Sequence, residues 1–260
     1  MSVYTITYGE SSIPFVGMDG TMSEASKVDA GFTADELFNA CDKFVEDGIE
    51  CDVYDIAVSA FGDNEELQYD PETQAYILVA RKAAKVLGEL DDQDQLHEEL
   101  NGVEYEREMV MRGRIVNRLA RYAVCFGNVD QESDLRNNRG KIVAFEHVPI
   151  TNKILKKLPK YFGKKAEGLL AECNNYYDPK ECHIGWHGDG ERKIVIGLRS
   201  GPVDFPLHYQ YYLQGQKQGD QVTIDLSDGD LYAMSAKAVG KDWKRKKVYT
   251  LRHAAGYRYS

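Results

Sequence analysis

A histidine and an aspartate two residues apart, His187 and Asp189, are the first candidates for chemistry in this chain. They lie between two short runs that are typical of β-strands. Because residues i and i+2 of a strand point to the same face, the imidazole and the carboxylate would converge on one point. They would form two-thirds of the 2-His-1-carboxylate triad, which holds a non-haem Fe(II) ion and leaves positions open for other ligands. The pattern predicts part of an iron site.

A third metal ligand should be a histidine well downstream, and only His208 and His253 follow the pair. His208 stands in a run rich in tyrosine, where packing is the simpler role. His253 stands in VYTLRHAAG, the last run with a strand-like pattern. We therefore predict that His253 completes the site, with His208 as the alternative.

The charge is distributed unevenly along the 260 residues. The net charge is -10, yet residues 1–100 contain 23 Asp and Glu against 5 Lys and Arg, whereas residues 101–260 contain 19 against 27. The second part could attract an anionic partner such as nucleic acid, which needs only local positive potential. An acidic first part that is merely well solvated is the alternative interpretation.

Composition also bears on the compartment. No apolar stretch approaches the roughly 20 residues of a membrane helix, and the N-terminus lacks the features of a secretory signal. The five cysteines form no CxxC pair, so we interpret them as free thiols. These features predict an intracellular protein in a reducing compartment, the cytoplasm or the nucleus, without membrane association.

The pattern of apolar residues changes near residue 105. Residues 1–105 are acidic and predicted to be mainly helical, with a capping box at Thr33 and Glu36 and a second helix from Pro71 to Gly88. Residues 106–260 contain many short β-rich runs separated by turn signals, which favours a sandwich or barrel. One helical segment, 152–173, interrupts them, and Pro159 is expected to break it. The class predicted is α+β, with domains 1–105 and 106–260.

Several segments of the second part resemble AlkB-type Fe(II)/2-oxoglutarate dioxygenases. That family has Asn-x-Tyr, about ten residues, and then His-x-Asp followed by acidic residues, which is similar to NNYYDPKECHIGWHGDGERK here. LSDGDLYAMS resembles the Gly-Asp strand that follows, and KDW resembles the stretch before the distal histidine. The resemblance covers Arg112 to Gly256. It looks closest to a subgroup from large DNA viruses and protists, with a HGDGER core and a TLRHAAG end.

The resemblance implies a double-stranded β-helix (a jelly roll) with helices packed outside. It implies Fe(II) bound by His187 and Asp189, with 2-oxoglutarate and O2 as co-substrates. Asn175 and Tyr177 match the co-substrate contacts of the family. The chain departs from the family after Trp243, where no histidine follows at the usual short distance, so His253 must serve after a longer loop.

An arginine should bind the distal carboxylate of 2-oxoglutarate, because a planar guanidinium matches a carboxylate in two places. Arg258 would share a face with His253 if Ala255 and Gly256 formed a two-residue hairpin turn. Arg252 is the rival, since YTLR resembles the tail of the family's closing motif. Arg199 is a third option.

The activity that the resemblance implies is hydroxylation of a C–H bond, with oxidative demethylation of an alkylated nucleobase in DNA or RNA as the leading expectation. Single-stranded or alkylated nucleic acid would then be the partner. Alternatives are hydroxylation of protein or amino-acid substrates, and an inactive jelly roll that only binds. The sequence predicts no oligomeric state. The expected substrate contacts are Arg118, Tyr122, Trp186, Glu191 and Trp243.

Overall fold

The computed structural model describes residues 2–11, 29–92, 94–137 and 139–260. The helices within these ranges are α1 (Ala34–Glu46), α2 (Ile56–Phe61), α3 (Glu65–Gln68), α4 (Ala83–Gly88), α5 (Asp94–Asn101), α6 (Pro149–Phe162) and α7 (Ala236–Val239). The strands are β1 (Val3–Gly9), β2 (Cys51–Asp55), β3 (Tyr76–Ala80), β4 (Glu108–Met111), β5 (Arg114–Asn117), β6 (Tyr122–Gly127), β7 (Ile142–Ala144), β8 (Leu170–Tyr176), β9 (Ile184–His187), β10 (Ile196–Ser200), β11 (Leu207–Leu213), β12 (Gln216–Ile224), β13 (Leu231–Met234) and β14 (Thr250–Ala255).

A large sheet of eight strands dominates the fold, in the order β2-β3-β13-β10-β1-β8-β6-β7. Its neighbours pair antiparallel except for β6 and β7, which are parallel. Strand β1 lies inside this sheet, with β10 on one side and β8 on the other. The first strand of the chain is therefore joined to two strands that lie more than 150 residues later.

A smaller antiparallel sheet has the order β12-β11-β14-β9. The two sheets share one apolar core, to which β1 gives Val3, β3 gives Val79, and β11 gives Tyr209 and Tyr211. The other face of the large sheet packs against helices, and Ile6 of β1 lies in that second core. Because alternate residues of a strand point to opposite faces, β1 turns Thr5 toward the smaller sheet and Ile6 toward the helices.

The prediction of a mixed α+β class is confirmed, and so is the capping box at Thr33 and Glu36, where each side chain accepts a hydrogen bond from the other's backbone N–H. The large sheet contains strands from both sides of the predicted boundary between residues 105 and 106, since β1 pairs with β8 and β10, and β3 pairs with β13.

Two predictions about helices were wrong. The segment predicted as one helix from Pro71 to Gly88 contains β3 and the short α4, because the apolar run YILVA pairs with β2 and β13 and is buried on both faces. Helix α6 continues through Pro159 for three further residues. Among the described helices, none combines the length and the apolar character that a bilayer crossing requires.

Candidate metal centre

Two paired strands bring the predicted ligands together. His187 is the last residue of β9, Asp189 follows two residues later, and His253 lies opposite His187 in the antiparallel pairing of β14 with β9. Directly paired residues on neighbouring strands have side chains on the same face and within contact distance. The register that pairs His253 with His187 therefore brings together two residues that lie 66 positions apart in the chain.

The three side chains form a compact set of donor atoms. The Nε2 atom of His187 lies 3.4 Å from Oδ1 of Asp189, and Nε2 of His253 lies 3.8 Å from the same oxygen. One ligand atom from each residue lies within 4.8 Å of the others, a grouping that could hold a metal ion. Nδ1 of His187 is 2.7 Å from the carbonyl oxygen of Gly185. A proton on Nδ1 would be donated to that carbonyl, which leaves the Nε2 lone pair for a metal.

The electrostatic environment suits ligation. Burial alone would raise the pKa of Asp189, but the charge of Arg192 and the hydrogen bond from His187 outweigh it and lower that pKa. Burial, together with the neighbouring His187, lowers the pKa of His253 to about 4. Burial lowers the pKa of His187 as well, yet the partner Asp189 reverses this and raises it. At neutral pH the cluster thus offers a charged carboxylate and a neutral imidazole at His253.

A buried arginine holds the carboxylate side of the cluster. Arg192 is 5% exposed and lies 3.0 Å from Glu172, 3.0 Å from Glu191 and 3.7 Å from Asp189. Since a charge in the interior must be paired, Arg192 and these carboxylates depend on one another. The network fixes where the Asp189 carboxylate lies.

The cluster opens into a cavity of about 700 Å³ between the two sheets. Its far wall belongs to the large sheet and carries Thr5, Asn174, Tyr176 and Arg199. Arg199 is only 1% exposed; it donates a hydrogen bond to the Thr5 hydroxyl and lies 5.0 Å from the ring centre of Phe205. Among the residues that the structure describes, its buried Nε atom has no hydrogen-bond partner and no carboxylate forms an ion pair with it. A buried guanidinium in this state could receive an anion.

Asn175 and Tyr177, the expected co-substrate contacts, do not line this cavity. Tyr177 stacks on Tyr122 at 4.4 Å, and its hydroxyl donates to the carbonyl of Leu119 at 2.7 Å. Asn175 lines a separate cavity on the other side of the sheet. Strand β8 alternates, so the cavity receives Asn174 and Tyr176 instead. The residues that face the cavity are therefore displaced by one position from the two that the resemblance implies.

Neither expected arginine reaches the cavity. The hairpin that would have aligned Arg258 with His253 is not formed; a 3-10 turn, Tyr257–Tyr259, follows β14, and Arg258 contacts His183 Nε2 at 3.2 Å. Arg252 precedes His253 on β14 and points to the opposite face, where its guanidinium lies 3.9 Å from the ring centre of Tyr212. Of the three arginines considered, only Arg199 lines the cavity.

The expected substrate contacts divide into two groups. Glu191 and Trp243 line the cavity, whereas Arg118, Tyr122 and Trp186 do not. Trp186 stands beside His187 on β9 and so faces the other way, 5.5 Å from the ring of Tyr259. Nε of Arg118 donates to the carbonyl of Glu108 at 3.0 Å. Sequence reasoning missed Arg121, which does line the cavity.

The alternative ligand His208 lies away from the cluster. Its Nδ1 is 2.9 Å from the Thr223 hydroxyl, and its Nε2 is 3.1 Å from the carbonyl of Gly256. Both ring nitrogens are therefore engaged by neighbours in the smaller sheet and at its edge.

No protein-family model matches the chain. An uncharacterised protein of Acanthamoeba polyphaga mimivirus is 36% identical over 252 residues, which cover 97% of this chain and 94% of the viral protein. The chain belongs to the same family as this mimivirus protein. Because the match leaves out only a few of the 260 residues, the central segment that carries His187 and Asp189 lies within it.

Proposed function

We propose that the protein is an Fe(II)/2-oxoglutarate-dependent dioxygenase of the AlkB-like type, which hydroxylates a C–H bond. One observation carries the proposal: His187, Asp189 and His253 meet at one wall of a cavity whose opposite wall holds the buried Arg199. A metal-ligand set and a carboxylate-binding group in one enclosed space are what such chemistry requires.

The donor set fits ferrous iron. Two imidazoles and one carboxylate are typical of non-haem Fe(II) sites with open positions. The hydrogen bond between His187 and Gly185, and the ion pairs of Arg192, are outer contacts that orient such ligands. Iron bound there, with 2-oxoglutarate as co-substrate, would supply the activation of O2 that inserts oxygen into a C–H bond.

Arg199 is the group that we expect to bind the distal carboxylate of 2-oxoglutarate. Its guanidinium offers a planar pair of donors, and the Thr5 hydroxyl beside it offers a further polar contact. Burial removes competing water, which strengthens an ion pair between the guanidinium and a carboxylate. Asn174 and Tyr176 on the same wall replace Asn175 and Tyr177 as expected contacts.

The fold that we propose is a jelly roll with a permuted strand. A jelly roll has eight core strands in two sheets. Here β13-β10-β1-β8 would be one half and β12-β11-β14-β9 the other. Seven of these strands follow one another from β8 to β14, and the eighth, β1, comes from the N-terminus.

An alkylated nucleobase is the substrate that we propose. Trp243, which lines the cavity, could stack on an extruded base, and the residues after it form a basic segment. The segment consists of Lys244, Arg245, Lys246 and Lys247. Hydroxylation of an N-methyl group would release formaldehyde. Hydroxylation of a protein or amino acid is the alternative, and the reducing cytoplasm or nucleus is the proposed location.

An inactive binding module was the other alternative, and it depended on His253 lying out of reach of the pair. Because the ligand atoms of all three residues lie within 4.8 Å of one another, we retain the enzymatic proposal.

The test is succinate release by full-length protein with Fe(II), 2-oxoglutarate and O2, against a chelated control. We expect turnover that is lost in His187→Ala and retained in the matched control His147→Ala, an exposed histidine outside the cavity. Formaldehyde release from an N-methylated single-stranded oligonucleotide separates demethylation from other hydroxylation. Equal succinate release with and without chelator would defeat the proposal.

A further inference from the structure

Arg121 is a cavity arginine that is assigned neither to the metal cluster nor to the proposed co-substrate. It immediately precedes β6 and lines the cavity together with Asn174. Its neighbour Tyr122 faces the opposite side of the sheet, in the stack with Tyr177. The alternation of the strand therefore turns Arg121 toward the metal side.

A single hydrogen bond orients the guanidinium. Nε of Arg121 donates to Oδ1 of Asn174 at 2.8 Å, and Asn174 is 5% exposed. No carboxylate of the described residues forms an ion pair with Arg121, and its terminal nitrogens donate to no group there. The hydrogen bond to Nε fixes the orientation of the guanidinium, and its two terminal nitrogens can bind a planar or tetrahedral anion.

The other positively charged side chains that line the cavity have different surroundings. Arg192 is paired with Glu172, Glu191 and Asp189, and these carboxylates already neutralise its charge. Arg199 is deep in the cavity beside Thr5 and is assigned above to the co-substrate. Lys244 is exposed, and its ammonium lies 5.2 Å from the ring centre of Trp243. Arg121 is thus the half-buried cation that remains for a substrate.

We propose that Arg121, oriented by Asn174, binds an anionic group of the substrate, a phosphate or a carboxylate. The inference rests on the proposed function, because it assumes that Arg199 and not Arg121 receives 2-oxoglutarate. It adds that the substrate carries its negative charge inside the cavity, on the β6 and β8 wall. A neutral free base would leave this guanidinium unpaired.

The chain segment just before Arg121 carries further exposed arginines. The β4–β5 hairpin precedes it in the chain, and Arg112 and Arg114 at its tip are exposed. Clustered positive charge raises the local concentration of anions and speeds their encounter.

The experiment measures binding, so that it does not depend on turnover. Full-length protein is loaded with Fe(II) and 2-oxoglutarate under argon. Calorimetric titrations then use phosphate, acetate and a single-stranded oligonucleotide with an N-methylated base, all at constant ionic strength. Preference for phosphate and oligonucleotide identifies a nucleic-acid source of the anion, and preference for acetate identifies an acidic small molecule or peptide.

Arg121→Gln should lower the affinity for the preferred probe by about tenfold or more, the loss expected when charge-assisted, bidentate hydrogen bonds are removed. Arg121→Lys should recover part of that affinity. The matched control Arg136→Gln removes the same charge from an exposed arginine that does not line the cavity, and should leave the affinity within about twofold. Melting curves verify that each variant is folded.

Three results would overturn the proposal: no saturable binding of any probe, unchanged affinity in Arg121→Gln, or an equal loss of 2-oxoglutarate affinity in that variant. Failure of the proposed function looks different, since the unsubstituted protein would then bind neither Fe(II) nor 2-oxoglutarate. In that case the phosphate and acetate titrations of the apoprotein still report whether Arg121 is an anion site.

Discussion

Within the described part of the chain, two groups of histidine and carboxylate side chains have donor atoms close enough to hold a metal ion: His187, Asp189 and His253, and a second group of Asp130, Glu146 and His147. In the second group His147 Nε2 lies 2.9 Å from Asp130 and 3.8 Å from Glu146. These distances are as short as those of the first group. Proximity of donor atoms therefore does not distinguish the two.

Their surroundings differ. All three side chains of the second group are more than half exposed, whereas the first group faces a cavity, and its Asp189 and His253 side chains are 12% and 7% exposed. The pKa of Asp130 is lowered by the backbone N–H of Ala144 and then by His147, both ordinary surface contacts. Asp189 is instead held charged in the interior by Arg192. Burial with compensating charge is what makes the first group a candidate site.

The largest difference should appear in stability. Arg192→Met leaves the buried carboxylates of Glu172, Glu191 and Asp189 without their cation, and we expect a loss of about 3–5 kcal/mol in the free energy of unfolding. His147→Ala removes an exposed pair and should cost no more than about 1 kcal/mol. Urea unfolding of the two variants measures both. Equal losses would mean that the two groups are equivalent.

The second largest difference between the buried and the exposed group should appear in metal affinity. Asp189→Asn removes the carboxylate ligand of the buried cluster. Loss of a residue that merely orients a metal ligand lowers metal affinity by about 10–100-fold, so loss of the ligand itself should lower the Co(II) or Fe(II) affinity on the order of a hundredfold. Asp130→Asn should change it by less than about twofold. Competition with a coloured chelator measures both, and a comparable loss in Asp130→Asn would assign metal binding to the exposed group.

The smallest effect concerns the backbone between the buried ligands. A Cβ at Gly188 would overlap the carbonyl oxygen of Gly240 and the side chain of Trp243, whereas a Cβ at Gly190 meets nothing within 4 Å. Gly188→Ala should cost about 1–3 kcal/mol and displace the 240–243 segment. Gly190→Ala should stay within about 0.5 kcal/mol. Thermal melting of this matched pair checks the difference, which would vanish if the two segments were not packed together.

The pair His187 and Asp189 could be found from sequence because strand geometry alone relates residues two apart. His253 required elimination among few histidines, since strand pairing across 66 residues leaves no local signal. The sequence could not tell which residues of the tandem NNYY face the cavity, because two registers differ by one residue and send their side chains to opposite faces; Asn174 and Tyr176 line the cavity, and the expected Asn175 and Tyr177 do not.

The positions of the arginines were also hard to predict from the sequence, because they depend on turns and on distant strand pairing. Arg258 was expected near the metal because Ala255 and Gly256 could have formed a hairpin, but no strand follows them. Arg199 lies opposite Thr5 in the pairing of β10 with β1, a contact between residues 194 positions apart. The apolar run YILVA was equally ambiguous, since a short buried strand and a buried helix have the same composition.

Strand β1 has a consequence for biosynthesis. Its seven residues are synthesised more than 150 residues ahead of β8 and β10, the two strands that flank it. Until those strands are made, the hydrogen-bonding edges of β1 lack their native partners, so the nascent chain carries an exposed, aggregation-prone segment during that interval. Folding dominated by such distant pairings is slow. Assembly of the cavity must therefore wait until β8, β10 and β14 have all been synthesised.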